Sequence, residues 1–121
     1  MISFEINERY VNDVVVLDIS GNIDIKTAPS LKVKLESLIR FGHHKIVVNL
    51  RDVDFIDSTG VGSLMHGLKM INPITGGIKI IGLSPQNFNV FSVLQLDRVF
   101  PILSSEDQAV GSFLSDGGTM H

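Results

Sequence analysis

Apolar and polar positions alternate at the start of the chain, with Ile2, Phe4 and Ile6 set against Ser3, Glu5 and Asn7. That period of two predicts a half-buried strand. Residues 14–19 are more densely apolar and predict a second strand, and the Asn12-Asp13 turn between them predicts an antiparallel hairpin. Gly21-Asn22 ends this strand, and Ile23-Asp24-Ile25 crosses to the next element. The period then lengthens. Leu31, Leu35, Leu38 and Ile39 recur at helical spacing, with Thr27 as N-cap, Pro29 in the first turn and Gly42 as the stop. Residues 45–50 read as a buried strand. Val61, Leu64, Met65 and Leu68 mark a helix that must end before Asn72-Pro73. Gly76-Gly77 turns the chain into a strand over 78–83. Ser84-Pro85 opens a helix with Phe88, Phe91 and Leu94 on one side. Residues 99–102 are short and hold Pro101, which suits an edge strand. Ser104-Ser105-Glu106-Asp107 reads as a capping box before a last helix, with Ala109, Val110, Phe113 and Leu114 inward. Residues 115–121 have no periodicity and are expected to form a frayed, flexible C-terminal tail behind a domain over 1–114.

The element order is therefore β-β-α-β-α-β-α-β-α. Strands alternating with helices imply right-handed crossovers and a mostly parallel sheet, which the opening hairpin makes mixed; the fold class is α/β. The 121 residues suffice for one domain, and a 44% hydrophobic content supplies its core. A net charge of −3 without any basic stripe argues against direct nucleic-acid binding. Absence of cysteine removes disulfides, thiolate catalysis and cysteine metal sites. No secretory leader and no membrane insertion are expected, since the first residues lack a basic region and the apolar runs are short. A cytoplasmic location fits these features.

The richest segment is Asp54-Phe55-Ile56-Asp57-Ser58-Thr59-Gly60-Val61-Gly62-Ser63, at the passage from strand to helix. A hydroxyl there can cap the helix, or can be presented for phosphorylation, because a helix N-terminus tolerates a phosphate. Other chemistry fits less well. No G-x-S-x-G elbow occurs, and His43, His44, His66 and His121 form no recognisable triad or metal spacing. Adjacent His43 and His44 fall on a loop after Gly42. Gly60-Val61-Gly62 lacks the lysine of a phosphate-binding P-loop, so tight packing of helix on strand is the better use of its glycines. Asp54 and Asp57 follow a strand as a phospho-acceptor would, but no lysine stands between 95 and 102. Capping explains one hydroxyl, not two hydroxyls, two acids and two glycines within nine residues.

The run from Asp54 to Gly62 resembles the signature of the bacterial anti-sigma factor antagonists, which are single-domain STAS proteins. Gly21-Asn22-Ile23-Asp24 before a helix is similar to that family's earlier G-x-[LI]-D element. The β/α order agrees, so the resemblance covers about residues 3–114. It implies a STAS-like mixed sheet and a domain that is not an enzyme and needs no cofactor. It implies further that Ser58 is phosphorylated by an anti-sigma factor that is itself a serine/threonine kinase, with Thr59 as a lesser acceptor. The unphosphorylated antagonist binds that kinase and releases a sigma factor; a PP2C-type phosphatase resets the serine. Asp24, Asp57, Ser58, Thr59, Gly60, Val61 and Gly62 are the implied partner-binding set. The rival expectations are a non-switching STAS subunit of a membrane transport complex, a signalling scaffold, or a weak nucleotide hydrolase.

Overall fold

Val14, Val15, Val16 and Leu17 are wholly buried, because the strand that carries them is covered on both faces. The computed structural model describes residues 3–118. Its strands are β1 (Glu5–Val11), β2 (Val14–Ile23), β3 (Lys45–Ile56), β4 (Gly77–Ile81) and β5 (Ile102–Leu103), in spatial order β1-β2-β3-β4-β5. β1 and β2 are antiparallel; the other neighbours are parallel. The helices are α1 (Ala28–Arg40), α2 (Ser58–Met70), α3 (Pro85–Val93) and α4 (Glu106–Gly118). The mixed sheet and the alternating order are those expected from the sequence.

Alternation along the strands divides the core. Val15, Leu17, Ile19, Ile46, Val48, Leu50, Ile78 and Ile80 face one layer with Leu31 and Leu35 of α1, Leu64 of α2 and Phe91 of α3. Val14, Val16, Val47 and Ile81 face the other, against Ala109, Val110 and Phe113 of α4. A strand buried on both faces loses the polar half of its pattern, which is why residues 14–17 and 46–48 read as continuous apolar runs. Beyond α4 the second face turns polar: Arg9 pairs with Asp18 and Glu106, and Asp18 accepts from Asn49 Nδ2 at 2.9 Å. The Arg9 guanidinium holds the Asp18 carboxyl below the usual carboxylate range.

Several boundaries differ from the sequence expectation. β1 begins at Glu5, after Phe4, and Ile2 lies outside the described residues. β2 does not stop at Gly21 but continues to Ile23 through two register shifts. Gly21 has φ +92°, and a Cβ there would lie 2.9 Å from Phe4 Cα, so close backbone approach explains the glycine. β3 extends to Ile56, so Asp54 sits within a strand, exposed, and not after one. β4 ends at Ile81, not Leu83. α3 buries Phe91 against the Phe100 ring, while Phe88 and Leu94 are exposed. The cap of α4 falls one residue later than expected. Ser105 Oγ accepts from Gln108 N–H, and Gln108 Oε1 in turn accepts from Ser104 N–H. Leu114 is exposed rather than inward. α4 runs on through Ser115–Gly118, inside the stretch expected to be tail; residues 119–121 lie outside the described residues.

Candidate functional site at the α2 N-terminus

The register of β2 against β3 builds the site. Ile23 is opposite Ile56, so the chain leaves both strands side by side, Asp24 next to Asp57. Asp57 N–H donates to Ile23 C=O at 3.2 Å, tying the two exits together. Gly60 makes this possible. A Cβ there would fall 2.7 Å from Ile23 Cγ2, 2.8 Å from Ile56 Cγ1 and 2.9 Å from Ile23 O. The first turn of α2 thus lies directly on the ends of β2 and β3. Gly62 has open space around the same position, so only one of the two glycines serves packing.

The two exits use their polar side chains differently. Asp57, not Ser58, is the N-cap of α2: its Oδ1 accepts from Thr59 N–H at 2.9 Å and Gly60 N–H at 3.0 Å. Ser58 is the first helical residue, exposed, and its hydroxyl has no hydrogen-bond partner among the described residues. Thr59 is also exposed. At the other exit Thr27 occupies the N-cap position of α1 but makes no capping bond. Its Oγ1 donates to Asn22 C=O at 2.7 Å and accepts from Asp24 N–H at 2.9 Å. Asp24 Oδ1 accepts from Lys26 N–H at 2.9 Å. Asp24 is therefore a half-buried brace of its own turn, which leaves Ile25 72% exposed at the turn's tip.

The seven residues singled out in the sequence thus fall into two groups. Ser58, Thr59 and Gly62 are at the surface, with Asp24 and Asp57 half-buried beside them. Gly60 and Val61 are buried and shape the site from beneath. Sequence reasoning missed Ser63. Its buried Oγ donates to Ala28 C=O at 2.9 Å and fastens α2 to the start of α1. Its place four residues after Thr59, on the inner side of the helix, was the available signal. His66 is an inter-helix contact: its Nε2 is 2.6 Å from Glu36 Oε2, a bond that holds the Glu36 carboxyl below its usual range. His44 Nδ1 accepts from Asn72 N–H at 3.1 Å, and the His43 ring meets Tyr10 edge-on. No group of three or more His, Cys, Asp or Glu side chains suited to a metal ion occurs among the described residues. No described helix is long and apolar enough to cross a membrane.

This geometry has counterparts. Residues 5–109 match the STAS domain family. The chain is 32% identical over 99 residues to the anti-sigma-B factor antagonist of Bacillus subtilis, covering 82% of this chain and 89% of that one. A crystal structure of an anti-sigma factor antagonist from Mycobacterium paratuberculosis superposes with TM-score 0.84 at 24% identity, over 92% of this chain and 94% of that one. The Bacillus cell fate determinant SpoIIAA shares the fold in both its unphosphorylated and phosphorylated forms. Each gives TM-score 0.68, at 17% and 22% identity, over 93% and 91% of this chain and 98% of that one. The chain is a STAS-domain protein of the anti-sigma factor antagonist family.

Proposed function

We propose that this protein is an anti-sigma factor antagonist whose docking surface on a serine-kinase anti-sigma factor is controlled by phosphorylation of Ser58. One observation carries the reading: Asp57 does the capping, so the exposed Ser58 hydroxyl is left unused by the fold. The kinase partner supplies ATP. Its γ-phosphoryl group passes to Ser58 Oγ, the hydroxyl proton leaves to solvent, and ADP is released. A PP2C-type phosphatase reverses the step by hydrolysis. The existence of SpoIIAA in both phosphorylated and unphosphorylated forms supports such a cycle for the fold.

The energetics favour a change in binding without a change in fold. Phosphoserine adds about −1.5 to −2 charge at neutral pH. At a helix N-terminus that charge gains roughly 0.3–1 kcal/mol, and the Asp57 and Asp24 carboxylates oppose it. Burying the same charge unpaired against a docked protein costs on the order of 3–5 kcal/mol. A thousandfold loss of affinity needs only about 4 kcal/mol. The docking surface comprises Ser58, Thr59, Gly62 and the Asp24 turn, with exposed Ile25 and Phe55 as its apolar contacts. Gly60 and Val61 support it from below.

Binding to a cognate anti-sigma kinase, measured for Ser58→Ala and Ser58→Asp, tests the reading. Alanine is expected to bind and aspartate to bind weakly. Equal affinities would defeat it. Mass spectrometry after incubation with kinase and ATP is expected to place the phosphate on Ser58.

A further inference from the structure

Residues 72–76 connect the end of α2 to β4, and a single residue holds both ends of that connection. His44, just before β3, accepts Asn72 N–H on its ring Nδ1 at 3.1 Å and Gly77 N–H on its backbone C=O at 2.9 Å. The connection lies directly on it: a Cβ on Gly76 would stand 2.0 Å from the His44 carbonyl oxygen. Between these two points the turn closes on itself. Asn72 C=O accepts from Thr75 N–H and Gly76 N–H, and Asn72 Oδ1 accepts from Ile74 N–H at 3.0 Å. Buried Ile71 fixes the chain before the turn, and the β4 ladder fixes it after. Residues 72–76 are thus a preformed unit, fastened at its entry by one bond to an imidazole.

An imidazole nitrogen accepts a hydrogen bond only when it carries no proton; a charged ring has a donor at both nitrogens. Protonated His44 therefore sets one N–H against the N–H of Asn72. The bond at Gly77 goes to a backbone carbonyl and does not depend on the ring. One end of the turn is fixed at any pH, and the other is lost as the pH falls. The ionisable groups that share a cleft of about 310 Å³ with His44 are Tyr10 of β1, Asp13 of the hairpin turn, and His43 and Lys45 on either side of it. Asp13 is the carboxylate among them, and it is paired with Lys45 at 2.9 Å. Tyr10 donates to Glu8 at 2.8 Å, and its ring meets that of His43 edge-on. On the far side of the turn, Lys69 and Lys79 line the neighbouring cleft with Thr75 and Gly76. His66 has the opposite sense: its Nε2 faces the Glu36 carboxylate, so a proton there strengthens a contact.

We propose that His44 is an acid-released latch on this turn. With the ring neutral, residues 72–76 are held against the start of β3. With the ring protonated, the Asn72 end comes free while the turn stays hinged at Gly77. Pro73, Ile74, Thr75 and Gly76 form one wall of a cleft of about 710 Å³ whose other lining includes Leu68 and Phe113. Release of the latch therefore widens that cleft and uncovers apolar side chains at the end of the sheet away from Ser58.

NMR of the full chain tests this at pH ~7.5 and ~5.5, which span the range where histidines change charge. At the higher pH the ring nitrogen shifts of His44 are expected to show the Nε2–H tautomer. Protection of the Asn72 amide from hydrogen exchange, taken relative to an unstructured chain at the same pH, is expected to fall about three- to tenfold at the lower pH, the effect of one hydrogen bond. Protection of the Gly77 amide is expected to hold. In His44→Asn the side-chain carbonyl stands near the place of Nδ1 and does not titrate, so Asn72 is expected to be protected equally at both pH values. In His44→Ala its protection is expected to be low at both. An Nδ1–H tautomer at the higher pH would overturn the proposal. So would Asn72 protection that ignores pH in the unaltered chain, or that falls as steeply in His44→Asn.

Discussion

Two helix entrances stand side by side at the exits of β2 and β3, each built from an acid and a hydroxyl within four residues. At the entrance to α1 the hydroxyl is consumed: Thr27 Oγ1 both donates and accepts within its own turn. At the entrance to α2 the acid takes the two helix N–H groups, and the serine is released from structural duty. The difference lies in the spacing. Asp57 directly precedes its helix, where a carboxylate reaches the second and third N–H groups. Asp24 is set back from α1 and braces the turn instead. A side chain becomes available for signalling where its neighbour has already met the needs of the backbone.

Four substitutions, with Gly62→Ala and Ser58→Ala as their controls, would break or sharpen this contrast. The largest effect is on partner binding. Ser58→Asp is expected to lower affinity for the kinase by up to about a thousandfold, or ~4 kcal/mol, with an unchanged circular dichroism spectrum. Next is Gly60→Val, which forces carbon into a space closed by Ile23 and Ile56. A loss of about 1–3 kcal/mol is expected in urea unfolding, as for other overpacked sites. Gly62→Ala meets nothing and is expected to gain up to about 1 kcal/mol of helix propensity; if both glycine variants destabilised alike, the distinction between them would be wrong. Third, Thr27→Val removes a donor and an acceptor from a half-buried turn and should cost about 1–3 kcal/mol, the usual range for polar groups left unsatisfied. Last, Asp57→Ala loses the cap, at ~1 kcal/mol. Against these, Ser58→Ala should change stability by less than about 0.5 kcal/mol. A drop in its melting temperature matching that of Thr27→Val would remove the difference between the two entrances.

The layered fold was largely legible because buried parallel strands and amphipathic helices leave strong periodic traces. The ends of elements were less so. β3 continues past Leu50 because Arg51, Asp52 and Asp54 project to solvent while Val53 and Ile56 remain buried, an alternation that resembles a polar loop when read alone. Phe88 and Leu94 share helical spacing with Phe91, yet α3 is short and fully buries Phe91 and Asn87, with Val90 half-buried against the core beside them. At the site, the motif identified the hydroxyl but not its freedom. Deciding between Asp57 and Ser58 as the cap depends on which residue first turns helical, and adjacent residues that can both cap leave that choice to tertiary packing. Ser63 and the brace of Thr27 were hidden because each bonds to backbone distant from, or out of step with, its own helix.

Gly60 has a kinetic consequence. With α2 seated in contact with Ile23 and Ile56, its first turn has no slack through which an added charge could be relieved by tilting or unwinding. On the proposed reading, the antagonist has no slow rearrangement between modification and effect. The delay between stimulus and transcriptional response is then set by how often kinase and phosphatase meet the serine, and selection can tune that delay through enzyme abundance while this domain stays the same.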